Sequence, residues 1–346
     1  MEAFPLKKKL SALFALLSLL LIATLAGCSP KQSASSNGTL TMVFYPNESA
    51  KDFNASRTAI KQQIEKATGK KVKIQTTTDY NIAIEAIASG KAQLAFMGPE
   101  GYAQAHLKNK AVQPLFTLSG ASGTLKDAAY HSYFMVPKEK AADYQKDGHY
   151  SIDNIKGKKI SFVSVSSTSG HLIPVAAIQS KFNLKNSDEL SQNGHFFKSV
   201  LFGNSHQGSA VNLYNGDADV AVFDDIDTNT YIDVSKGSWT KVGSEFRVKD
   251  DATAPFTSVH GKESIAIAIS PVQNGPFVAN TAKLSKDDQA KIAEAFTSKA
   301  VTDNPKILSP KGAKVPAIWK KESDKSKLLK VTNDWYAPTN KLVAKN

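Results

Sequence analysis

Hydrophobic and polar residues alternate with two different periods in the N-terminal half of the chain. Residues 39–45 show the two-residue alternation of a strand, and short apolar runs at 71–76 and 93–97 predict two further strands. Between them, residues 56–68 and 80–89 carry isoleucines at helical spacing, and a glycine that can end a helix follows each segment. Strands and helices that alternate with short connections predict a parallel sheet covered by helices.

The alternation returns further along the chain and predicts a second unit. Strands are predicted at 132–136, 159–165, 199–202, 219–223 and 265–269, and helices at 172–182, at 209–214 and over most of the chain from 286 onward. Extended segments near Phe134 and Ala266 would join the two units. The sequence therefore predicts an α/β fold of two lobes, each a mostly parallel sheet with flanking helices, with two crossover segments as the hinge.

The lobe boundaries follow from these crossover segments. Lobe 1 is assigned residues 39–135 together with 266–346, and lobe 2 is assigned residues 136–265. Open parallel sheets bind ligands beyond the carboxyl ends of their strands. A ligand site is therefore expected in the cleft between the lobes.

Residues 1–27 have the composition of an export signal. Three lysines at 7–9 precede an apolar run at 10–25, which is shorter than the about 20 residues of a spanning helix. Leu25-Ala26-Gly27-Cys28 resembles the lipobox of bacterial lipoproteins, which implies cleavage before Cys28 and a diacylglycerol on its sulfur. Two acyl chains hold a protein firmly to a membrane. The alternative is a buried structural cysteine that follows a short membrane helix.

Residues 28–38 are small and polar, which is typical of a flexible linker. The sequence thus predicts a lipid-anchored linker that tethers the folded part to the extracytoplasmic face of the cell membrane. Cys28 is the only cysteine, so neither disulfides nor thiolate-bound metals can stabilise the folded part. A composition with 41% hydrophobic residues allows a core to do so.

The net charge of +12 does not indicate a nucleic-acid partner. The lysines are scattered, arginine occurs only at Arg57 and Arg247, and no basic stripe is interleaved with aromatic residues. The seven histidines are dispersed and form no pattern of metal ligands. We therefore expect no nucleic acid, no metal and no cofactor.

Four consecutive hydroxyl residues, at 166–169, stand between a predicted strand and a predicted helix, with Gly170 after them. A helix N-terminus offers free backbone N–H groups and a positive dipole end, and added hydroxyls make it suited to a tetrahedral oxyanion. One hydroxyl would suffice to cap the helix. An ordinary serine-rich turn with a cap is the alternative interpretation.

The chain from Thr39 onward resembles the phosphonate-binding family of substrate-binding proteins of ABC transporters, which are type II periplasmic binding proteins. The resemblance rests on Asn47-Glu48-Ser49, Asp79-Tyr80, residues 90–99, residues 167–174, Ser205-His206 and residues 215–221. The matching stretches occur in the same order and with the same spacing as in the family, and they extend over nearly the whole chain after the linker.

The resemblance implies the residues of a binding site. Ser167, Thr168 and Ser169 match the hydroxyl triplet that binds the phosphonate oxygens. Tyr80 matches a tyrosine that contacts the same group from the opposite lobe, and His206 matches a histidine at the phosphonate. Without the resemblance, a loop histidine such as His206 is as often a solvated or locally bonded side chain.

Further candidate ligand residues are less closely matched. They are Asp224, Asp225, Met97 and Glu48, with Asp227 and Glu263 as other acidic residues nearby. One branch of the family has Trp-Tyr-Gly where this chain has Phe96-Met97-Gly98, and an ungapped count places Ile226 where that branch has an acid for the ligand's ammonium group. A smaller anion is thus as compatible as an aminoalkylphosphonate. A solvated strand end is the alternative interpretation of the acidic run at 224–227.

The resemblance implies a lipoprotein that captures phosphonate, phosphite or phosphate and delivers it, as a monomer, to the permease and ATPase of an ABC importer. One alternative is the same fold binding another small anion or a phosphate ester, and a second is a surface lipoprotein binding anionic wall polymer. An enzyme is not expected, because Gly-x-Ser-x-Gly is absent and Ser169 and His171 are too close in sequence to be assumed a catalytic pair.

Overall fold

The computed structural model describes residues 38–49, 51–313 and 316–345. The predicted signal at 1–27 and all but the last residue of the predicted linker, and with them Cys28, lie outside the described residues. Among the helices in these three ranges, none is long and apolar enough to span a bilayer.

Strands and α-helices alternate over residues 40–118, and runs of strands without an α-helix between them follow at residues 112–162 and 232–280. The strands are β1 (Leu40–Phe44), β2 (Val72–Thr76), β3 (Leu94–Phe96), β4 (Val112–Leu118), β5 (Ala129–Pro137), β6 (Gln145–Lys146), β7 (His149–Tyr150), β8 (Lys159–Phe162), β9 (Ser199–Phe202), β10 (Val220–Asp224), β11 (Ile232–Lys236), β12 (Glu245–Val248), β13 (Glu263–Gln273), β14 (Pro276–Asn280), β15 (Leu308–Ser309), β16 (Trp319–Lys320) and β17 (Leu328–Lys330). The α-helices are α1 (Asn54–Thr68), α2 (Tyr80–Ser89), α3 (Pro99–Lys108), α4 (Ile173–Phe182), α5 (His206–Tyr214), α6 (Asp225–Thr228), α7 (Lys286–Phe296), α8 (Lys299–Thr302) and α9 (Ala337–Val343).

Sheet 1 has the strand order β17-β4-β14-β3-β1-β2 and forms the centre of lobe 1. Alternate residues of β1 face opposite sides: Met42 and Phe44 join one hydrophobic cluster with α1 and α7, and Val43 joins another with α2 and α3. In the first cluster, Phe116 stacks on Phe277 at 4.6 Å and on Phe296 at 4.9 Å between ring centroids. Both faces of the sheet are therefore buried under helices.

Sheet 2 has the order β11-β12-β13-β5-β10-β8-β9 and forms the centre of lobe 2. Val220 and Val222 of β10 face the cluster that contains residues of α4, whereas Ala221 and Phe223 face the cluster that contains residues of α5. The two helices thus cover opposite faces, and their N-termini lie near the same end of the sheet.

The α/β fold of two lobes is confirmed, but the expectation of mostly parallel sheets is wrong. Parallel pairing is limited to β2-β1-β3 in sheet 1 and to β10-β8-β9 in sheet 2, and the other neighbouring strands are antiparallel. Parallel neighbours need a crossover connection, usually a helix. Strands β5, β13 and β14 enter their sheets as the chain passes between the lobes, without such a helix.

The passage between the sheets also differs from the expected boundaries. Residues 135/136 and 265/266 fall inside β5 and β13, which belong in full to sheet 2, so the chain changes sheet at 119–128 and 274–275. The expectation of mostly helix after residue 286 is wrong as well. Three short strands lie there, since the prolines at 305, 310 and 316 interrupt any helix.

Candidate functional site

The hydroxyl run at 166–169 forms a buried loop that leads into α4. Ser167 caps the following turn, and its Oγ accepts a hydrogen bond from the Gly170 N–H at 3.1 Å. Residues Thr168–Leu172 form one wide π-helical turn before α4 begins. A Cβ atom on Gly170 would lie 2.3 Å from Val163 Cβ, so only glycine fits there. All four hydroxyl side chains are buried.

Lobe 1 contacts this loop through the first turns of two helices. The backbone N–H of Glu100, in the first turn of α3, donates to Thr168 Oγ1 at 2.8 Å. The hydroxyl of Ser166 donates to Asn81 Oδ1 in α2 at 2.9 Å and approaches Gln104 Oε1 in α3 at 3.3 Å. The loop therefore lies between the lobes, which are in contact around it.

Tyr80 lies in lobe 1, and hydrogen bonds link it to lobe 2 through Asn47. It is the first residue of α2, and the ring of Tyr45 packs against its ring with 4.2 Å between centroids. Its hydroxyl accepts a hydrogen bond from Asn47 Nδ2 at 2.7 Å, and Asn47 Oδ1 accepts one from the His206 N–H at 3.3 Å. Asn47 thus connects the tyrosine of one lobe with the histidine of the other.

His206 is the first residue of α5 and is fully inside the cleft. Its Nδ1 accepts the backbone N–H of Asp224 at 3.1 Å, so the neutral ring carries its hydrogen on Nε2. Nε2 lies 3.4 Å from Ser167 Oγ and 3.3 Å from Ser169 Oγ. Burial lowers the pKa of His206 to about 3. The ring is therefore a neutral hydrogen-bond donor, and its Nε2–H lies beside the hydroxyl loop and 3.1 Å from Asp224 Oδ2.

Three buried carboxyl groups, those of Asp224, Asp227 and Glu48, interact electrostatically near His206. Asp224 caps α6 through a bond from the Asp227 N–H to Oδ1 at 3.1 Å, and its Oδ2 accepts from Ser169 Oγ at 3.1 Å. Burial and then the charge of Asp227 raise the pKa of both Asp224 and Glu48, and burial raises the pKa of Asp227 to about 7. These carboxyl groups are therefore stable in the cleft either in the protonated form or as carboxylates that accept a hydrogen bond.

Other acidic candidates and Met97 do not face the loop. The Asp225 carboxylate pairs with His131, whose Nδ1 lies 3.0 Å from Oδ2. Glu263 lies 3.1 Å from the Lys138 ammonium. Met97 is completely buried in the lobe 1 cluster with α2 and α3. The structure thus brings the hydroxyl triplet at 167–169 together with His206 and Asp224. Tyr80 is linked to His206 through Asn47, and Glu48 interacts electrostatically with Tyr80.

Several cleft residues were missed by the sequence analysis. Tyr130 of β5 donates its hydroxyl hydrogen to Ser169 Oγ at 3.1 Å, and Gln207 Nε2 donates to the Asp227 carbonyl at 3.1 Å. Asn47 lies in a stretch that carried the family resemblance, which is the one signal that could have identified it. Tyr45 and Tyr130 carry no local signal, since Tyr45 is the last residue of one predicted strand and Tyr130 precedes another.

Possible metal ligands are also present in the cleft. His206, Asp224 and Asp227 each offer a ligand atom, and these atoms lie within 4.8 Å of one another. In the neutral ring, His206 Nδ1 accepts the Asp224 N–H and Nε2 carries the hydrogen, so neither nitrogen is free to bind a metal ion. The cluster therefore forms a polar wall beside the hydroxyl loop.

Comparison with sequence families decides between general resemblance and membership. The family described as periplasmic substrate-binding proteins of phosphonate ABC transporters matches residues 42–336. The chain belongs to this family.

Among relatives in the phosphonate-binding family is the phosphate-import protein PhnD of Mycolicibacterium smegmatis, which is 31% identical over 222 residues. The aligned part covers 62% of this chain and 65% of that protein, slightly less than two thirds of its length.

Solved structures of phosphonate transporters show the same fold. A binding component of a phosphonate ABC transporter from Pseudomonas aeruginosa aligns with a TM-score of 0.63 at 19% identity, covering 90% of this chain and 89% of the other. PhnD1 of Prochlorococcus marinus, in complex with methylphosphonate, aligns with a TM-score of 0.63 at 14% identity, covering 89% and 97%. At these identities the alignments support the two-lobed fold alone.

Proposed function

We propose that this protein is the extracytoplasmic substrate-binding component of an ABC importer and that it captures a phosphorus oxyanion between its lobes. The observation that carries the proposal is the buried hydroxyl triplet at 167–169, which faces the neutral Nε2–H of His206. Hydroxyls, an imidazole N–H and free N–H groups of a helix start are donors suited to phosphoryl oxygens. Phosphonate, phosphite and phosphate are the proposed ligands.

Asp224 makes binding depend on the protonation state of the ligand. Its Oδ2 lies 3.1 Å from both Ser169 Oγ and His206 Nε2, so it adjoins the donors that would hold the ligand. A carboxylate can accept a hydrogen bond from a protonated phosphorus oxyanion, or a protonated carboxyl can donate to the dianion. Sulfate, which has no proton near neutral pH, can use only the second arrangement. Phosphorus oxyanions should therefore bind more tightly than sulfate.

Binding is proposed to couple to closure of the lobes built on sheets 1 and 2. Thr168 and Ser166 in lobe 2 hydrogen-bond to Glu100 and Asn81 in lobe 1, beside the space for the oxyanion. An anion that uses donors from both lobes stabilises the closed arrangement. The closed protein is then the form delivered, as a monomer, to the membrane permease and its ATPase.

A screen for ligand-induced thermal stabilisation tests the proposed function. A ligand that binds only the native protein stabilises it by about 2.7 kcal/mol at a concentration 100 times Kd. We expect methylphosphonate, phosphite or phosphate to raise the melting temperature by several degrees, and sulfate to raise it less. If only a phosphate ester or another anion raises the melting temperature, that compound is the ligand in place of a phosphorus oxyanion. If only anionic wall polymer raises the melting temperature, the transport proposal is wrong.

The tether is a separate proposal. We propose that Cys28 carries a diacylglycerol and that the linker at 28–38 holds the binding domain near the permease, where its effective concentration is raised. Replacing Cys28 by serine should leave oxyanion affinity unchanged and move the protein from the membrane fraction to the soluble fraction. Retention of the Cys28→Ser protein in washed membranes would contradict this proposal.

A further inference from the structure

Lys320 reaches from lobe 1 across to lobe 2. Its ammonium donates hydrogen bonds to Asn229 Oδ1 and, at 2.8 Å, to Thr230 Oγ1. Both acceptors lie between β10 and β11 of sheet 2, whereas Lys320 belongs to β16. These two hydrogen bonds therefore join the lobes.

The position of the Lys320 backbone is fixed by lobe 1. Its neighbour Trp319 is buried and packs edge-on against Phe96 with 5.3 Å between ring centroids. On the other side, the Lys321 N–H donates to the Ser309 carbonyl at 2.8 Å. Lys320 is thus held on a rigid part of one lobe while its ammonium binds the other.

The two acceptors directly follow α6, the helix that presents the acidic wall of the ligand site. Asp224 caps the start of α6 and contacts Ser169, and Asp227 lies within it. The Lys320 ammonium interacts electrostatically with the carboxyl groups of Asp227, Asp225 and Asp224 and with the ammonium of Lys249. Lys320 therefore holds the far end of the segment whose near end borders the hydroxyl loop.

The same turn has a second lysine, which lies in lobe 2. Lys249 Nζ donates to the carbonyl oxygens of Asn229 and Thr230, at 2.9 Å in both cases, and lies 3.4 Å from Asp233. All of these groups move with lobe 2. Lys249 therefore supports the turn whether the cleft is open or closed, which makes it a matched control for Lys320.

We propose that Lys320 is a positioning residue for ligand binding, which fastens α6 to lobe 1 when the cleft closes and so slows release of the bound oxyanion. This inference rests on the proposed function. Loss of a contact present only in the closed protein raises the rate of ligand dissociation, whereas the first encounter of the ligand with the open cleft is unaffected. A residue that only supported the turn would not raise the dissociation rate while leaving the association rate unchanged.

The test compares Lys320→Met, Lys320→Arg and Lys249→Met with the wild type, using methylphosphonate and inorganic phosphate as probes in stopped-flow fluorescence. For Lys320→Met we expect a dissociation rate at least tenfold higher and an association rate within threefold of wild type. Lys320→Arg, which keeps the charge, should recover most of the loss, and Lys249→Met should stay within threefold in both rates. Equal effects of Lys320→Met and Lys249→Met would overturn the inference, as would an unchanged dissociation rate.

Small-angle X-ray scattering without ligand separates this inference from the proposed function. We expect the Lys320 hydrogen bonds to keep a fraction of wild-type molecules closed even without ligand, so Lys320→Met should have a larger radius of gyration than the wild type. Lys249→Met should match the wild type. If wild type binds neither probe, the proposed function fails, and the scattering result alone decides whether Lys320 fastens the lobes. If wild type binds and Lys320→Met is unchanged in rate and size, the inference fails and the proposed function stands.

Discussion

Replacing Thr168 and Ser169 together by alanine is expected to weaken oxyanion binding at least a hundredfold. Each substitution removes one buried hydroxyl from the loop that faces His206 Nε2. A hydrogen bond to a charged group contributes about 1.5–3 kcal/mol, so two such bonds contribute roughly 3–6 kcal/mol, which is about 10²- to 10⁴-fold in Kd. Titration calorimetry with methylphosphonate and phosphate measures the loss.

Ser209→Ala is the matched control for this pair. The Ser209 hydroxyl is also buried in lobe 2, and it donates to the carbonyl oxygens of Ser161 at 3.0 Å and Val222 at 2.8 Å, away from the hydroxyl loop. We expect Ser209→Ala to lower the free energy of unfolding by about 1–3 kcal/mol and to leave Kd unchanged. If the double variant kept wild-type affinity, the ligand site would lie elsewhere.

Replacing Glu100 by glutamine is expected to make the protein more stable at pH 8 and to flatten its stability profile. Glu100 is buried in α3, its Oε1 accepts from Gln104 Nε2 at 3.0 Å, and its Oε2 has no hydrogen-bond partner within the described ranges. Burial raises the pKa of Glu100 from 4.5 to about 8. The folded protein thus holds a proton that the unfolded chain has already lost at neutral pH.

The sign of the effect follows from proton binding. Between about pH 4.5 and pH 8 the native state binds more protons than the unfolded state at Glu100, so its contribution to the free energy of unfolding falls as pH rises. One pKa unit corresponds to about 1.4 kcal/mol, so the fall between pH 5 and pH 8 is roughly 3 kcal/mol. Because glutamine does not titrate, Glu100→Gln should remove this decrease in the free energy of unfolding.

Urea unfolding at pH 5 and pH 8 measures the decrease in the free energy of unfolding, and Glu85→Gln, at an exposed position, is the control. Glu85 lies on α2 and pairs with Lys108 at 2.9 Å, so its replacement should leave the wild-type difference between the two pH values in place. A Glu100→Gln protein with the same fall in stability as wild type would show that other buried groups, such as Asp227, cause it.

The hydroxyl loop could be predicted because its parts are contiguous. A strand, four hydroxyl residues and a helix follow one another, and the structure places Ser167 as the cap of the turn before α4. Helix α2 also begins and ends at the predicted residues, since Asp79 caps its start and Gly90 takes the left-handed conformation at its end. Local chemistry fixes such features without knowledge of the rest of the fold.

The alternation of side chains along β10 also distinguishes the position of Asp224 from that of Asp225. Val220 and Val222 face the cluster that contains α4, so Asp224, two residues further along, lies on that face and reaches Ser169. Asp225 starts α6 instead and pairs with His131. Strand alternation therefore separates the two acids, although composition does not.

Residues that act across the lobes could not be predicted in this way. Asn47 contacts His206 over 159 positions, and Lys320 contacts Asn229 over 91 positions. Their roles depend on how sheet 1 and sheet 2 meet, which no local pattern contains. The antiparallel additions to both sheets have the same origin, because they follow from the chain's passage between the lobes.

A crystal structure of the protein with methylphosphonate tests the proposed ligand site most directly. We expect phosphonate oxygens within about 2.7–3.2 Å of the hydroxyls of Ser167, Thr168 and Ser169 and of His206 Nε2, with Tyr80 contacting the ligand from lobe 1. A ligand bound outside the cleft, or held in the cleft without contact to the hydroxyl triplet, would contradict this expectation.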